Sequence, residues 1–174
     1  CGQTVSDVAF AVIHPDLLIT VQPTPIAECI GGTATMSVTV TGGTGTVTYQ
    51  WESSTNGTNW NNATGPGSTT ATYTPPSTVA GTTFYRVTIN TPGSGCGAAT
   101  SNSVTAIISQ DITVTTQPTS ITECIGGNLS MNVTVSGGSG TISYQWQSSP
   151  NGTGSWVNAS GTGATTSTFT PESL

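Results

Sequence analysis

Apolar and polar side chains alternate along most of this chain with a period of two, the pattern of half-buried β-strands. Met36, Val38 and Val40 alternate with hydroxyl side chains, and Tyr49 and Trp51 belong to a second run of the same kind. Gly-rich and Asn-Gly segments separate the runs and are typical of hairpin turns. No segment has the 3.6-residue period of an amphipathic helix, so the pattern predicts an all-β fold.

Further strands are predicted after these two. A turn at Asn56-Gly57 should lead into a short strand that carries Trp60, and a brief strand should end before Pro75-Pro76, because proline cannot donate to a β-ladder. Alternation then indicates strands over residues 84–89 and 104–108. Many short strands with a turn signal every 8 to 12 residues or so are typical of a two-sheet sandwich.

The chain also repeats itself with a shift of 95 residues. Residues 22–58 align without a gap with residues 117–153, and 25 of the 37 positions are identical. Extended backwards, the same shift aligns Cys1 with Cys96 and Asp16 with Asp111. We therefore expect residues 1–14 to be the closing strand of a preceding unit, 15–110 a complete unit and 111–174 an incomplete one. The last two strands of that second unit would follow downstream or come from a neighbouring subunit.

Charged residues are scarce: the chain has no lysine, one arginine (Arg86) and a net charge of −6. A chain with so few cations cannot neutralise phosphates, which argues against nucleic-acid and anionic-membrane partners. No apolar run approaches the roughly 20 residues that span a bilayer, so membrane insertion is not expected. Nothing in the sequence indicates a cofactor.

Four cysteines recur at matched positions, one pair per repeat. Their spacing does not fit a zinc site, and the sequence predicts a disulfide between Cys29 and Cys96 and an oxidising compartment. Cys1 and Cys124 would then pair with adjacent units or subunits. Lipidation of Cys1 as the first residue of a mature surface lipoprotein is the alternative for that position.

Two kinds of ligand site are weaker hypotheses. Asp16 and Asp111 recur at the unit junctions and are candidates for calcium, although solvated turn residues have the same pattern. Trp60 and Trp156 follow a turn and are candidate platforms for sugar, or they cover a sheet edge.

Catalysis is not expected. His14 is the only histidine, and the chain has no Ser-His-Asp set and no phosphate-binding loop in a strand–turn–helix context. Glu28 and Glu52 are the one carboxylate pair to consider for glycoside hydrolysis, but Gln147 replaces Glu52 in the second copy. The sequence thus predicts a protein that is not an enzyme.

Four motifs carry a family resemblance: Glu-Cys-Ile-Gly-Gly at 28–32, Tyr-Gln-Trp at 49–51, Thr-Tyr-Thr-Pro at 72–75 and Gly-Cys-Gly at 95–97. Together they resemble the bacterial Ig-like tandem repeats of secreted and cell-surface proteins, especially the Thr- and Gly-rich adhesin-type arrays of Bacteroidetes-like organisms. The resemblance implies tandem immunoglobulin-like β-sandwich domains with Trp51 as the core tryptophan.

The function that follows is an extracellular or cell-surface structural repeat protein that forms a stalk, an adhesin or a filament. Its partners would be further copies of itself, with host or surface glycans as additional candidates. The alternative is a carbohydrate-binding or spacer module of a secreted enzyme.

Overall fold

The structure is a computed structural model that describes residues 1–92 and 97–172. Over these residues the chain consists of short β-strands and turns without helices, as the alternating pattern predicts. It divides into two compact units, one of Cys1–Ile26, Thr33–Pro76 and Thr82–Ile107, the other of Ala27–Gly32, Ser77–Gly81 and Ile108–Leu174. No helix able to cross a lipid bilayer occurs within the part of the chain that the structure describes.

The first ten strands build a two-layer sandwich. They are β1 (Leu18–Val21), β2 (Ile26–Cys29), β3 (Met36–Ser37), β4 (Thr39–Thr41), β5 (Thr48–Ser54), β6 (Asn61–Asn62), β7 (Thr72–Tyr73), β8 (Gly81–Asn90), β9 (Ala99–Thr100) and β10 (Val104–Ser109). One layer is a sheet in the order β2-β10-β8-β5-β6, with β9 also paired to β8, and the other contains the pairs β1-β4 and β3-β7. This is an immunoglobulin-like β-sandwich.

The core lies between the two layers of this first sandwich. β5 and β8 pair antiparallel over seven residues, and Trp51 faces Val87 in that register. Met36, Trp51, Val87 and Ile89 are all 0% exposed, and Tyr73 is 1% exposed. The apolar positions of the period-two pattern therefore point inward, and their burial supplies the main stabilisation.

A glycine turn recurs at matched positions of the two repeats. Gly42 and Gly137 have φ angles of 78° and 83°, in the left-handed region that favours glycine. A side chain at Gly42 would collide with the backbone carbonyl of Asp16, and one at Gly137 would collide with that of Asp111. Close backbone packing explains why the sequence has glycine at both places.

The remaining strands form a second set of sheets. They are β11 (Thr113–Thr116), β12 (Met131–Asn132), β13 (Thr134–Ser136), β14 (Gln147–Ser148), β15 (Val157–Asn158), β16 (Gly161–Thr162) and β17 (Thr168–Pro171). β11 pairs with β13, β12 with β17 and β16, and β14 with β15. Within residues 111–172, Phe169 is the one buried side chain, at 5% exposure.

Two expectations from the sequence differ in part from the structure. The short strand after Asn56-Gly57 starts at Asn61, so Trp60 lies in the turn that precedes it. Residues 1–14 form no strand, and every one of them is exposed. Their assignment as the closing strand of a preceding unit stays a prediction, as do the unit boundaries at 15–110 and 111–174.

Candidate functional site

The core tryptophan of the first sandwich is fixed by polar contacts on three sides. Its indole Nε1–H donates to the carbonyl of Thr70 at 2.9 Å. Its backbone N–H donates to Ser68 at 2.9 Å, and its carbonyl accepts from Ala63 at 2.8 Å. The ring stacks on Tyr73 with a centroid distance of 5.4 Å. A buried indole needs such a hydrogen-bond partner, so these bonds set one orientation of Trp51.

The same contacts recur around Trp146. The indole Nε1–H donates to the carbonyl of Thr166 at 2.8 Å, and the backbone groups pair with Ala164 and Ala159 at 2.8 and 2.9 Å. The ring stacks on Phe169 at 5.3 Å. The two sequence repeats thus build the same tryptophan-centred framework, with Phe169 in the place of Tyr73.

The two frameworks differ in how well they are covered. Met36 and Trp51 are fully buried, whereas Met131 and Trp146 are partly exposed. Met131, Trp146 and Phe169 line an open groove of about 440 Å³. We call this feature the Trp146 groove.

A smaller pocket of about 180 Å³ is lined by Trp146 together with Pro118, Val133 and Tyr144. Trp146 therefore contributes to the lining of both pockets.

In the first sandwich, β8 is the strand that pairs with β5 along its whole length. Tyr49, Trp51 and Ser53 of β5 face Ile89, Val87 and Tyr85 of β8 in the antiparallel register.

The matching residues of the second repeat, 143–149, contribute only Gln147–Ser148 to a strand, and that strand pairs with β15. No other described strand pairs with residues 143–149. Both residues of β14, Gln147 and Ser148, line the Trp146 groove.

The one arginine of the chain lies on the outer face of the first sandwich. Arg86 Nε is 2.7 Å from Glu52 Oε2, and its guanidinium carbon lies 4.3 Å from the centre of the Trp60 ring. This arrangement combines an ion pair with a cation–π contact. The sequence offered no sign of it, because β8 and the turn before β6 are far apart along the chain.

The two candidate sugar platforms, Trp60 and Trp156, therefore differ in how much of the ring is exposed. Trp60 is half-buried beneath Arg86, whereas Trp156 is 53% exposed. Only Trp156 presents a large open ring face.

The pKa values of the two tyrosines in the first core, Tyr73 and Tyr85, are raised. Burial raises the pKa of Tyr73, and the nearby Tyr85 raises it further. Burial also raises the pKa of Tyr85. The Tyr73 hydroxyl donates to the carbonyl of Thr64 at 2.9 Å. Both phenols stay neutral at physiological pH, and their role is packing and hydrogen bonding.

The structure does not test the predicted pairing of the cysteines. Cys29, Cys1 and Cys124 carry free thiols, with Cys1 and Cys124 exposed. Cys96 lies outside the described residues, so the disulfide between Cys29 and Cys96 stays a prediction, and so do the pairings of Cys1 and Cys124.

The calcium candidates contribute to turns. The carbonyl groups of Asp16 and Asp111 lie against the glycine turns described above, and both residues are exposed. Within residues 1–92 and 97–172, no three side chains of His, Cys, Asp or Glu gather as a metal site would require. Calcium at these positions stays a hypothesis.

A carboxylate-supported turn recurs beside two of the cysteines and was not recognised from the sequence. The carboxylates of Glu28 and Glu123 lie so close to Gly32 and Gly127 that a Cβ there would collide with them. Glu123 Oε2 also accepts a hydrogen bond from the backbone N–H of Leu129 at 2.8 Å. The recurring Glu-Cys-Ile-Gly-Gly motif is therefore a turn motif in which the small glycine makes room for the acid.

The class of protein follows from the fold: the chain is an all-β protein with an immunoglobulin-like β-sandwich. It belongs to the family described as a domain of unknown function, DUF8696, whose model matches residues 24–110. No curated protein is significantly similar to the chain.

Among solved structures, "Sidekick-1 immunoglobulin domains 1-5" is similar, with a TM-score of 0.48 and 17% identity over 72% of this chain. The chain spans about a quarter of that structure, 26% of its length.

Proposed function

We propose that this chain is part of an extracellular structural array, a stalk, adhesin or filament, built from tandem immunoglobulin-like domains. The observation that carries the proposal is the recurrence of one framework around Trp51 and Trp146, with matched hydrogen bonds and matched ring stacking. A sequence that rebuilds the same framework in successive repeats suits a role in which length is gained by adding units.

Surface chemistry supports a place outside the cell. The chain has no lysine, and its only arginine is held by Glu52 and Trp60, so sites for trypsin-like proteases are nearly absent. The predicted cysteine pairing belongs to an oxidising compartment. The role proposed for such an array is mechanical, and we propose no catalytic role.

The intact mass of the native material under reducing conditions, together with electron microscopy of surface fractions, tests this function. We expect a chain well above 17.5 kDa with elongated particles, or subunits near 17.5 kDa that assemble into fibres. A compact monomer found inside the cell would contradict the proposal.

The second candidate function is carbohydrate binding, which the 53% exposure of Trp156 favours. Aromatic faces of this kind stack on sugar rings. If the candidate is right, Trp156→Ala abolishes retention on a glycan array, whereas Trp60→Ala, which alters a ring already covered by Arg86, leaves it intact. Equal retention of both variants and the parent chain would exclude Trp156 as the platform.

A further inference from the structure

We propose that Asn151 is a site of spontaneous covalent modification, at which the side-chain amide is lost through a cyclic imide, and that the matched Asn56 is protected from this reaction. The two residues begin the Asn-Gly steps of the two repeats. The inference concerns the chemistry of the turns and is independent of the proposed function.

The reaction needs a nucleophile and an electrophile, and the Asn-Gly step supplies both. The backbone nitrogen of Gly152 attacks Cγ of Asn151 and forms a nitrogen–carbon bond, while the side-chain amide leaves as ammonia with the proton of that nitrogen. Water then adds to either carbonyl of the cyclic imide, and the ring opens to aspartate or to isoaspartate. The product has a carboxyl group in place of the amide, and this group is ionised at neutral pH. Glycine favours the first step because it has no side chain to obstruct the attack.

In the first turn both reacting groups are held by hydrogen bonds. The N–H of Gly57 donates to Ser54 Oγ at 2.9 Å, so the nucleophile is engaged. Asn56 Oδ1 accepts from the backbone N–H groups of Thr58 and Asn59 at 3.0 and 2.9 Å. It also accepts from the hydroxyl of Ser54 at 3.0 Å. Attack at Asn56 therefore requires that several of these bonds break first.

In the second turn the hydrogen bonds are arranged differently. Within the part of the chain that the structure describes, the N–H of Gly152 has no hydrogen-bond acceptor. Asn151 Oδ1 accepts one backbone N–H, that of Thr153 at 3.1 Å. The hydroxyl of Ser149 lies 2.9 Å from the carbonyl of Gly154 and 3.2 Å from Asn151 Oδ1, and its single proton serves one of them at a time. Nucleophile and electrophile are thus less restrained, and both residues of the step are exposed.

The length of the turn explains the difference. The second turn has one residue more between its Asn-Gly step and the following tryptophan. Gly154 has a φ angle of 64°, a conformation that favours glycine, and its carbonyl accepts from the hydroxyl of Ser149. In the shorter turn the hydroxyl of Ser54 donates to Asn56 instead. All of these hydrogen bonds lie within their own turn, so the difference does not depend on what covers the second unit.

The two products affect the turn differently. Aspartate retains an oxygen that can accept the N–H of Thr153, so the turn keeps its hydrogen bond and gains one negative charge. Isoaspartate adds a methylene to the backbone of the turn that joins β14 and β15, whose register matches Gln147 with Asn158. Material that ages in solution therefore becomes more acidic, and part of it has an altered hairpin.

The test compares the two turns within one protein. The chain is incubated at physiological temperature and pH, and aspartate and isoaspartate at each site are measured by peptide mass spectrometry and by labelling with an isoaspartyl methyltransferase. We expect Asn151 to convert about 10- to 30-fold faster than Asn56, because reaction at Asn56 first breaks about two additional hydrogen bonds. In strong denaturant the two rates should be equal, since glycine follows both residues. Equal rates in the native chain would overturn the proposal.

Two reciprocal variants test turn length. Insertion of a glycine after Thr58 should raise the rate at Asn56 about tenfold, and it does so in the sandwich in which β8 is present. Deletion of Gly154 should bring the rate at Asn151 to within about threefold of that at Asn56. Urea midpoints check that both variants remain folded. An insertion variant that is folded and converts Asn56 as slowly as the parent chain would refute protection by the short turn.

Ser54→Ala tests the protecting group directly. The substitution removes the acceptor of the Gly57 N–H and should raise the rate at Asn56 about tenfold, while the rate at Asn151 stays unchanged. Ser149→Ala is the matched control and should change the rate at Asn151 by less than about threefold. A rise at Asn151 in the Ser54→Ala chain would indicate general unfolding and would contradict local protection.

Discussion

The two methionines of the chain provide a direct measure of how open the second core is. Met36 and Met131 occupy matched positions in the two repeats, but Met36 is 0% exposed and Met131 lines the Trp146 groove. Hydrogen peroxide converts an accessible methionine to its sulfoxide. Peroxide should therefore oxidise Met131 in the native protein and reach Met36 only when the first sandwich opens.

The size of the difference follows from stability. A sandwich with a free energy of unfolding of about 5 kcal/mol, the lower end for folded domains, is open in roughly one molecule in several thousand. We therefore expect Met131 to oxidise about 10³-fold faster than Met36, or more. The measurement is mass spectrometry of peptides after timed exposure of the native protein to peroxide.

A denatured sample completes the experiment. In strong denaturant both methionines should oxidise at the same rate, which shows that intrinsic reactivity is matched. Equal slow oxidation of Met36 and Met131 in the monomeric native protein would mean that the second core is closed in solution, and the argument from the groove would fail.

Three other predictions concern the first sandwich. Burial raises the pKa of Tyr73 and Tyr85. The stability that the two neutral phenols contribute is therefore complete below the ordinary tyrosine pKa of about 10 and declines as pH rises above it. The urea midpoint of the parent chain should fall above about pH 10, and that of Tyr73→Phe should fall less steeply. Arg86→Ala should lower the free energy of unfolding by about 1 kcal/mol through loss of a partly exposed ion pair and the indole contact, and a urea midpoint equal to that of the parent chain would contradict this. Under oxidising conditions Cys29→Ser should destabilise by about 2–5 kcal/mol if the disulfide to Cys96 forms, and a parent chain whose mass and stability are unchanged by reduction would show that it does not.

The sequence predicted the architecture because the relevant signals are local. Alternation around Met36 and Trp51, glycine turns and the Asn56-Gly57 step each act over a few residues, and strands and turns depend mainly on such patterns. The predicted all-β sandwich is confirmed, and Trp51 is buried at the centre of its first copy. The short strand predicted to carry Trp60 begins one residue later, at Asn61.

The sequence patterns did not predict contacts between residues that are far apart along the chain. The stacking of Arg86 on Trp60 depends on β8 and the turn before β6 meeting on one face. The Trp146 groove depends on which neighbours a strand has, and alternation alone gives the same pattern for Met36 and Met131. Such features require the sheet order, which periodicity does not specify.

The shared framework also bears on the order in which a repeat protein is made. Ribosomes deliver the chain from its N-terminus, and the hydrogen bonds around Trp146 join it to residues that follow within 20 positions, Ala159, Ala164 and Thr166. A nascent repeat can therefore organise its tryptophan, its turns and its first strand pairs while the rest is still being synthesised. Strands that are synthesised later then pair with a framework that already has its final shape. This limits the time in which one repeat can pair with a neighbouring repeat of nearly identical sequence.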